Sequence, residues 1–254
     1  MNFDVAISEL VAIMLGAARA GAFLAIAPPF NSRLIPPTVK ALLSVGLALP
    51  MTPYLRTTIP SIETADIIVV AALQVFIGAA LGFIIALLFA ALQAAGDLLD
   101  VFGGFTLAMA YDPLSMSQSS IFGRFYNLTA VTLLFAGDGH LLILRGFLQS
   151  FKALPLNASF SMGTFGSLLV KGAGEMFISA LQIAGPLIAV LFLTDVAFGL
   201  LNRVAPALNA FQLGFPAKIF LLLTFAGTAI AMLPTIVSSI VAKAVSAVVQ
   251  LSGG

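Results

Sequence analysis

Long apolar stretches separated by short joints rich in proline and polar residues dominate the sequence. About 20 apolar residues in a helix are enough to cross the hydrocarbon core of a bilayer, and proline and glycine at the joints end helices. The pattern predicts an all-α, polytopic membrane-type protein with about six long, kinked helices, and a single domain over residues 1–254. The predicted stretches are 6–28, 38–57, 66–102, 117–152, 166–202 and 213–250.

Composition supports this fold class and argues against several kinds of function. Hydrophobic residues make up 61% of the 254 residues and charged residues only 8%, whereas a soluble domain carries about 25% charged residues to cover its surface. The net charge of +1 predicts no nucleic-acid partner. Because the chain has no cysteine and one histidine, we predict no metal site, no cofactor and no disulfide.

The third stretch carries small residues at every fourth position of an uncharged run over 67–96. Small residues on one face let a second helix backbone approach closely, so we predict a packing and assembly surface here. Glycine is also frequent in membrane helices in general, and spacing alone does not specify whether the neighbouring helix belongs to the same chain. The residues of this stripe are Gly78, Gly82, Ala86, Ala90 and Ala94.

Charged residues within or beside the apolar stretches are candidate interface charges, because a charge inside a bilayer needs a partner or water. Asp97 and Asp100 share a helix face. They fit a cation or proton site, an ion pair with another chain, or a helix end that meets water. Arg19 and Asp195 could pair with each other or with another subunit. The full set is Arg19, Asp97, Asp100, Asp195, Arg203 and Lys218.

The segment 103–120, which follows the third stretch, combines glycine with soft apolar side chains. Gly103 and Gly104 give the backbone freedom, and the apolar side chains after them can repack around different shapes. Two interpretations fit: a seal that opens, or an ordinary buried loop between helices. The apolar side chains are Phe105, Leu107, Met109, Leu114 and Met116.

Two other functions compete at this point. A small secondary transporter could use the helix broken at Gly185-Pro186, with Asp195 as its site. An intramembrane protease needs two facing carboxylates, for which Asp112 and Asp138 are the candidates. Asp112 precedes a proline and Asp138 lies in the sequence GDGH (137–140), so both are expected in turns. A single histidine and the lack of a GxSxG motif do not favour serine chemistry. We predict no catalytic residue and no enzyme.

Several short motifs occur along the chain in a specific order and with specific spacing. They are Arg19 with the APPF…IPP turn (27–37), GxxxGF at Gly78–Phe83, AAGDLLDVFGG (94–104), Tyr111-Asp112-Pro113, LLFAGDGH (133–140) and RVAPALNAFQLGFPAK (203–218). Through these motifs the chain resembles, over nearly its whole length, the FliR family of type III export-gate proteins. Its flagellar branch is closer than its virulence branch.

The resemblance implies a role in protein export. One copy of the chain would join several copies of FliP and FliQ in a helical pore complex through which unfolded flagellar proteins are secreted, with FlhB and FlhA nearby. The protein would lie in the bacterial inner membrane at the flagellar basal body, where it would contact membrane lipid and flagellar export substrates. The segment 103–120 would plug the closed pore. Its implied plug residues are Gly103, Gly104, Phe105, Leu107, Met109, Tyr111, Asp112, Pro113, Leu114 and Met116.

Overall fold

Helices account for all the regular structure in the part of the chain that the computed structural model describes, which is residues 3–59, 63–105, 120–158, 161–206 and 210–251. The predicted all-α class is confirmed. The helices are α1 (Phe3–Ile26), α2 (Pro37–Ala48), α3 (Thr52–Leu55), α4 (Thr64–Gly103), α5 (Ile121–Ala136), α6 (Gly139–Ala153), α7 (Met162–Val204) and α8 (Ala210–Leu251), with single 3-10 turns at Leu49–Met51 and Arg56–Thr58.

Helical segments long and apolar enough to cross a membrane occur along the whole described chain. Five satisfy this on their own, and α5 with α6 makes a sixth if that broken pair counts as one span. The prediction of a polytopic protein with about six long helices is therefore confirmed. The five segments are Ala6–Ile26, Pro37–Thr58, Thr64–Gly103, Met162–Val204 and Ile230–Gln250.

The fourth predicted stretch, 117–152, forms two helices instead of one, because the chain breaks at Gly137-Asp138. Asp138 has φ of 53°, in the left-handed region, which interrupts a right-handed helix and which aspartate tolerates better than most residues. Gly139 then opens α6 with almost no free space: a Cβ there would lie 2.6 Å from Leu134 Cδ1. The turn residues and the close packing together account for the break.

The joint before α8 is shorter than its polar and proline-rich sequence indicates. α7 continues to Val204 and α8 begins at Ala210, so Pro216 lies inside α8. One proline removes a single main-chain hydrogen bond, and an apolar environment strongly favours helix for the flanking residues. Pro186 in α7 and Pro234 in α8 lie inside helices, as the sequence predicts.

The chain divides into two compact units, and α4, α5, α7 and α8 contribute to both. Unit 1 comprises Met1–Leu88, Leu134–Ala173 and Ser239–Gly254. Unit 2 comprises Phe89–Leu133 and Gly174–Ser238. The interpretation of the chain as one domain stays a prediction.

Aromatic packing between α1 and α6 forms the core of unit 1. The rings of Phe23 and Phe147 stack at 4.3 Å, and Phe151 meets Phe147 edge-on at 5.3 Å. All three side chains are fully buried. At the edge of the unit, Arg56 forms an ion pair with Glu9 at 3.0 Å, which ties α1 to the end of the α2–α3 segment.

In unit 2, the last turns of α4 cross α5 at very short range. Leu92, Ala95 and Leu99 of α4 are buried, as is Tyr126 of α5. The α7 surface in this unit is largely apolar and exposed, including Phe177, Leu181, Phe192 and Leu193. A helix with that surface needs lipid or another protein around it.

Candidate functional site

The first two glycines of the small-residue stripe lie directly against the backbone of α1. A Cβ at Gly78 would be 2.1 Å from the Arg19 carbonyl oxygen, and one at Gly82 would be 3.0 Å from the Phe23 carbonyl oxygen. Such distances leave no room for a side chain at Gly78. In this half of the stripe, therefore, the neighbouring helix belongs to the same chain.

The three alanines of the stripe differ from the glycines in burial. Ala86, Ala90 and Ala94 are each half-buried, whereas Gly78 and Gly82 are buried. Their methyl groups leave part of the α4 surface accessible. An assembly role for the stripe as a whole stays a prediction, and these alanines are the members with surface left for another chain.

A second close helix crossing in α4 occurs at Gly96, which does not belong to the four-residue stripe. A Cβ at Gly96 would lie 2.4 Å from the backbone nitrogen of Gly123 in α5. Gly123 is similarly confined, since a Cβ there would lie 2.0 Å from Asp97 Oδ1. In the sequence, the only sign of this crossing is one glycine in each of two apolar helices. Such a pair of glycines indicates a crossing only when the two helices are known to contact each other.

Arg19 is fully buried in unit 1 and is held by neutral oxygens. Its Nε donates to Gln74 Oε1 at 2.7 Å, and Nη2 donates to the same oxygen. Nη1 donates to the Ser150 carbonyl at 3.1 Å, and Nη2 to the Leu154 carbonyl at 2.8 Å. The guanidinium also lies over the Phe151 ring, 4.5 Å from its centre.

These partners explain how a cation is held in an apolar interior. The carbonyls of Ser150 and Leu154 are at the C-terminal end of α6, where the helix dipole favours positive charge. The Ser150 carbonyl also accepts the Leu154 N–H at 2.8 Å. Arg19 thereby caps the C-terminal end of α6 and also joins α1 to α4. The sequence singles out Arg19, but Gln74 was overlooked even though it is an amide within the uncharged run 67–96.

Asp100, in the last turn of α4, is also buried, with 1% of its surface exposed. Its Oδ2 accepts hydrogen bonds from the Ser120 hydroxyl and from the Phe122 backbone N–H, the latter at 3.0 Å. Oδ1 has no hydrogen-bond partner within the described ranges. Asp97, one turn earlier, is half-buried beside Gly123. Among the described residues, Asp100 is therefore the carboxylate of the two that has hydrogen-bond partners.

The other candidate charges lie in unit 2. Asp195 of α7 forms an ion pair with Lys218 of α8. Arg203, in the last turn of α7, is exposed. Arg19 and Asp195 each have a partner within their own unit, so neither needs the other as a counter-ion. A role for these charges at an interface with another subunit stays a prediction.

Only the beginning of the 103–120 segment falls within the described residues. Gly103 and Gly104 are buried, and Gly104 has φ of 84°, which requires glycine. Phe105 packs on Phe122, with ring centres 5.7 Å apart. The remaining predicted plug residues lie outside the described residues; they are Leu107, Met109, Tyr111, Asp112, Pro113, Leu114 and Met116.

Two residues considered for catalysis, Asp138 and His140, lie in the described ranges. The same ranges contain no group of three or more His, Asp or Glu side chains placed to hold a metal ion. Asp138 lies on an exposed turn, and His140 packs against Phe135 at 4.8 Å. These positions suit a turn and a packing contact, whereas a proton-sharing pair of aspartates needs the two carboxylates in contact.

Comparison with known proteins decides the family. The chain matches the family described as "Bacterial export proteins, family 1" over residues 10–244. It belongs to this family. The chain is 34% identical to the flagellar biosynthetic protein FliR of Pectobacterium carotovorum over 84% of this chain and 82% of that protein. It is 33% identical to FliR of Bacillus subtilis over 82% of each, and 30% identical to FliR of Escherichia coli over 78% of this chain and 76% of that protein.

The resemblance to FliR proteins inferred from the motifs is thus confirmed. The family and the apolar helices identify the chain as a membrane protein of the flagellar export apparatus. Proteins of this family are structural components of that apparatus. The buried contacts of Arg19 and Gly78 join helices of this one chain.

Proposed function

We propose that this protein is a non-enzymatic core subunit of the flagellar type III export gate in the bacterial inner membrane. With FliP and FliQ it forms the channel through which unfolded flagellar proteins leave the cell, and FlhA and FlhB lie beside it. The match to the export family over residues 10–244 carries this proposal. The exposed apolar side chains of α7, such as Phe177 and Leu193, support it because a subunit of a helical complex needs such a surface.

Purification in a mild detergent tests the assembly. The tagged chain is expected to retain FliP and FliQ in one complex whose mass exceeds that of the monomer, since its apolar helix surfaces are covered by the partner chains. Native mass spectrometry measures this. A monomer that takes up a solute when reconstituted alone in liposomes would contradict the proposal and favour a transporter.

The transporter alternative has a specific weakness in the structure. Its proposed site residue, Asp195, is already paired with Lys218, and its side chain is 51% exposed. A binding site for a transported solute is expected to be enclosed near the bilayer midplane. The purification experiment above separates the two functions without relying on this argument.

We further propose that the segment 103–120 seals the closed channel. Deleting 106–118 is expected to let small ions pass through the purified complex in planar bilayers while FliP and FliQ still co-purify, because the helices on both sides remain. Conductance of the bilayer measures this. An unchanged conductance with intact assembly would contradict the sealing role.

A matched pair of variants separates the apolar character of the segment from its length. Replacing Leu107, Met109, Leu114 and Met116 by serine keeps the length and is expected to raise conductance. Replacing Ser115, Ser117 and Ser119 by alanine keeps the apolar residues and is expected to leave the channel closed. Equal conductance in the two variants would show that apolar side chains are not what seals the pore.

A further inference from the structure

The carboxylate of Asp100 joins two parts of the chain that lie on either side of the 103–120 segment. Asp100 is in the last turn of α4, whereas Ser120 and Phe122 are at the beginning of α5. Both donors, the Ser120 hydroxyl and the Phe122 N–H, bond to the same oxygen, Oδ2. A buried carboxylate with two donors forms stronger bonds than a neutral acceptor would.

Ser120 extends this connection into the first turn of α5. Its Oγ accepts a hydrogen bond from the Gly123 N–H at 2.8 Å, the geometry of a helix N-cap. The carboxylate of Asp100 thus lies at the N-terminal end of α5, where free N–H groups and the helix dipole favour negative charge. One side chain from α4 therefore caps the start of α5, directly and through Ser120.

Backbone packing holds the same two ends together. Gly96 and Gly123 bring α4 and α5 so close that a Cβ on Gly96 would lie 2.4 Å from the Gly123 nitrogen. Phe105, just after α4, packs on Phe122, just inside α5. The hydrogen bonds of Asp100 are the polar part of this junction, and the glycines and the aromatic pair are its apolar part.

We propose that Asp100 is a positioning residue that fixes the end of α4 to the start of α5, and so sets where the chain between them leaves and rejoins the helices. The effect on channel closure rests on the sealing role proposed above. The local effect does not, because it concerns only Asp100, Ser120 and Phe122. One carboxylate oxygen takes both bonds, so an asparagine that presents its carbonyl oxygen can replace it.

Electron paramagnetic resonance on the assembled complex tests the local effect. The chain has no native cysteine, so spin labels can be placed on cysteines at Val101 and Ile121, both 56% exposed. We expect a narrow distance distribution in the parent and in Asp100→Asn. Asp100→Ala should broaden it, because losing two hydrogen bonds to a charged group raises the population of displaced ends by about tenfold or more. Asp66→Ala, which removes an exposed carboxylate in the first turn of α4, should leave it narrow.

A distribution that stays narrow in Asp100→Ala would overturn the proposal, as would equal broadening in Asp66→Ala. Ser120→Ala and Ser120→Thr give a second comparison that does not touch the carboxylate. The threonine keeps the hydroxyl and should retain the narrow distribution, whereas the alanine should broaden it.

Bilayer conductance of the same complexes tests the consequence for closure. Asp100→Ala should raise ion conductance while FliP and FliQ still co-purify, and Asp100→Asn should not. If the 106–118 deletion leaks but Asp100→Ala does not, the positioning role in closure is wrong and the sealing role stands. If neither variant leaks, the sealing role itself is wrong, and the distance measurement alone decides whether Asp100 fixes the two helix ends.

Discussion

At the scale of single residues, the most consequential side chain is that of Arg19. It is a buried cation that has no acidic partner in the described part of unit 1. Arg19 is bonded to Gln74 and to two carbonyls of the α6 end. Several fixed dipoles replace the water that the guanidinium loses on burial. The planar donor fork of arginine matches this set of acceptors, and an ammonium group cannot reach all of them.

Arg19→Met is therefore expected to destabilise the chain by at least about 3 kcal/mol, because it leaves buried acceptors without a donor. Arg19→Lys should destabilise the chain less than Arg19→Met does, since lysine keeps the positive charge but lacks the planar set of donors of the guanidinium. Thermal unfolding of the purified complex in detergent measures this. Arg33→Met is the matched control, since Arg33 is exposed in the turn after α1. Equal melting temperatures for Arg19→Met and Arg33→Met would refute the structural role of the network.

At the scale of helices, glycine determines which elements approach each other. The α1–α4 contact depends on Gly78 because the carbonyl of Arg19 occupies the space of a side chain. The sequence pattern predicted a close neighbour for this face of α4 but not its identity, since spacing describes one helix only. The α4–α5 crossing at Gly96 and Gly123 was not predicted at all, because neither glycine belongs to a repeating pattern.

Gly78→Ala should destabilise unit 1 by about 1–3 kcal/mol, the usual cost of overpacking, despite the higher helix propensity of alanine. Gly46→Ala is the control, because a Cβ added at Gly46 of α2 would meet no other atom within 4 Å. It should be neutral or stabilising by up to about 1 kcal/mol. Melting temperatures of the two variants measure the difference, and a stabilised Gly78→Ala protein would show that the α1–α4 contact is looser than described.

At the scale of the whole chain, hydrophobicity predicted the class of protein and most helix positions. Apolar length is a property of contiguous residues, so it can be read directly from the sequence. The GDGH sequence indicated a turn at Asp138, and the break between α5 and α6 lies there. The geometry of that break was less accessible, because it depends on the left-handed conformation of Asp138 and on packing around Gly139. The candidate site was the least accessible part, since the partners of Arg19 and Asp100 lie 20 to 135 residues away along the chain.

In the proposed assembly, partner chains cover the exposed apolar side chains of α7, so the stability of the chain is expected to depend on them. Expressed without FliP and FliQ, the chain should accumulate to a lower level and turn over faster, because binding to the folded state stabilises it by mass action. Pulse-chase labelling with and without the partner genes measures this. Equal half-lives in the two backgrounds would indicate that lipid alone satisfies these surfaces.

The contact between Arg19 and the end of α6 also imposes an order on biogenesis. Arg19 is translated 131 and 135 residues before Ser150 and Leu154, whose carbonyls receive it. Until α6 emerges from the ribosome, the cation of α1 lacks the two carbonyl acceptors at the end of α6, and only Gln74 has been synthesised earlier. A buried cation with too few partners is costly. We therefore expect α1 to complete its packing only when more than half of the chain has been synthesised.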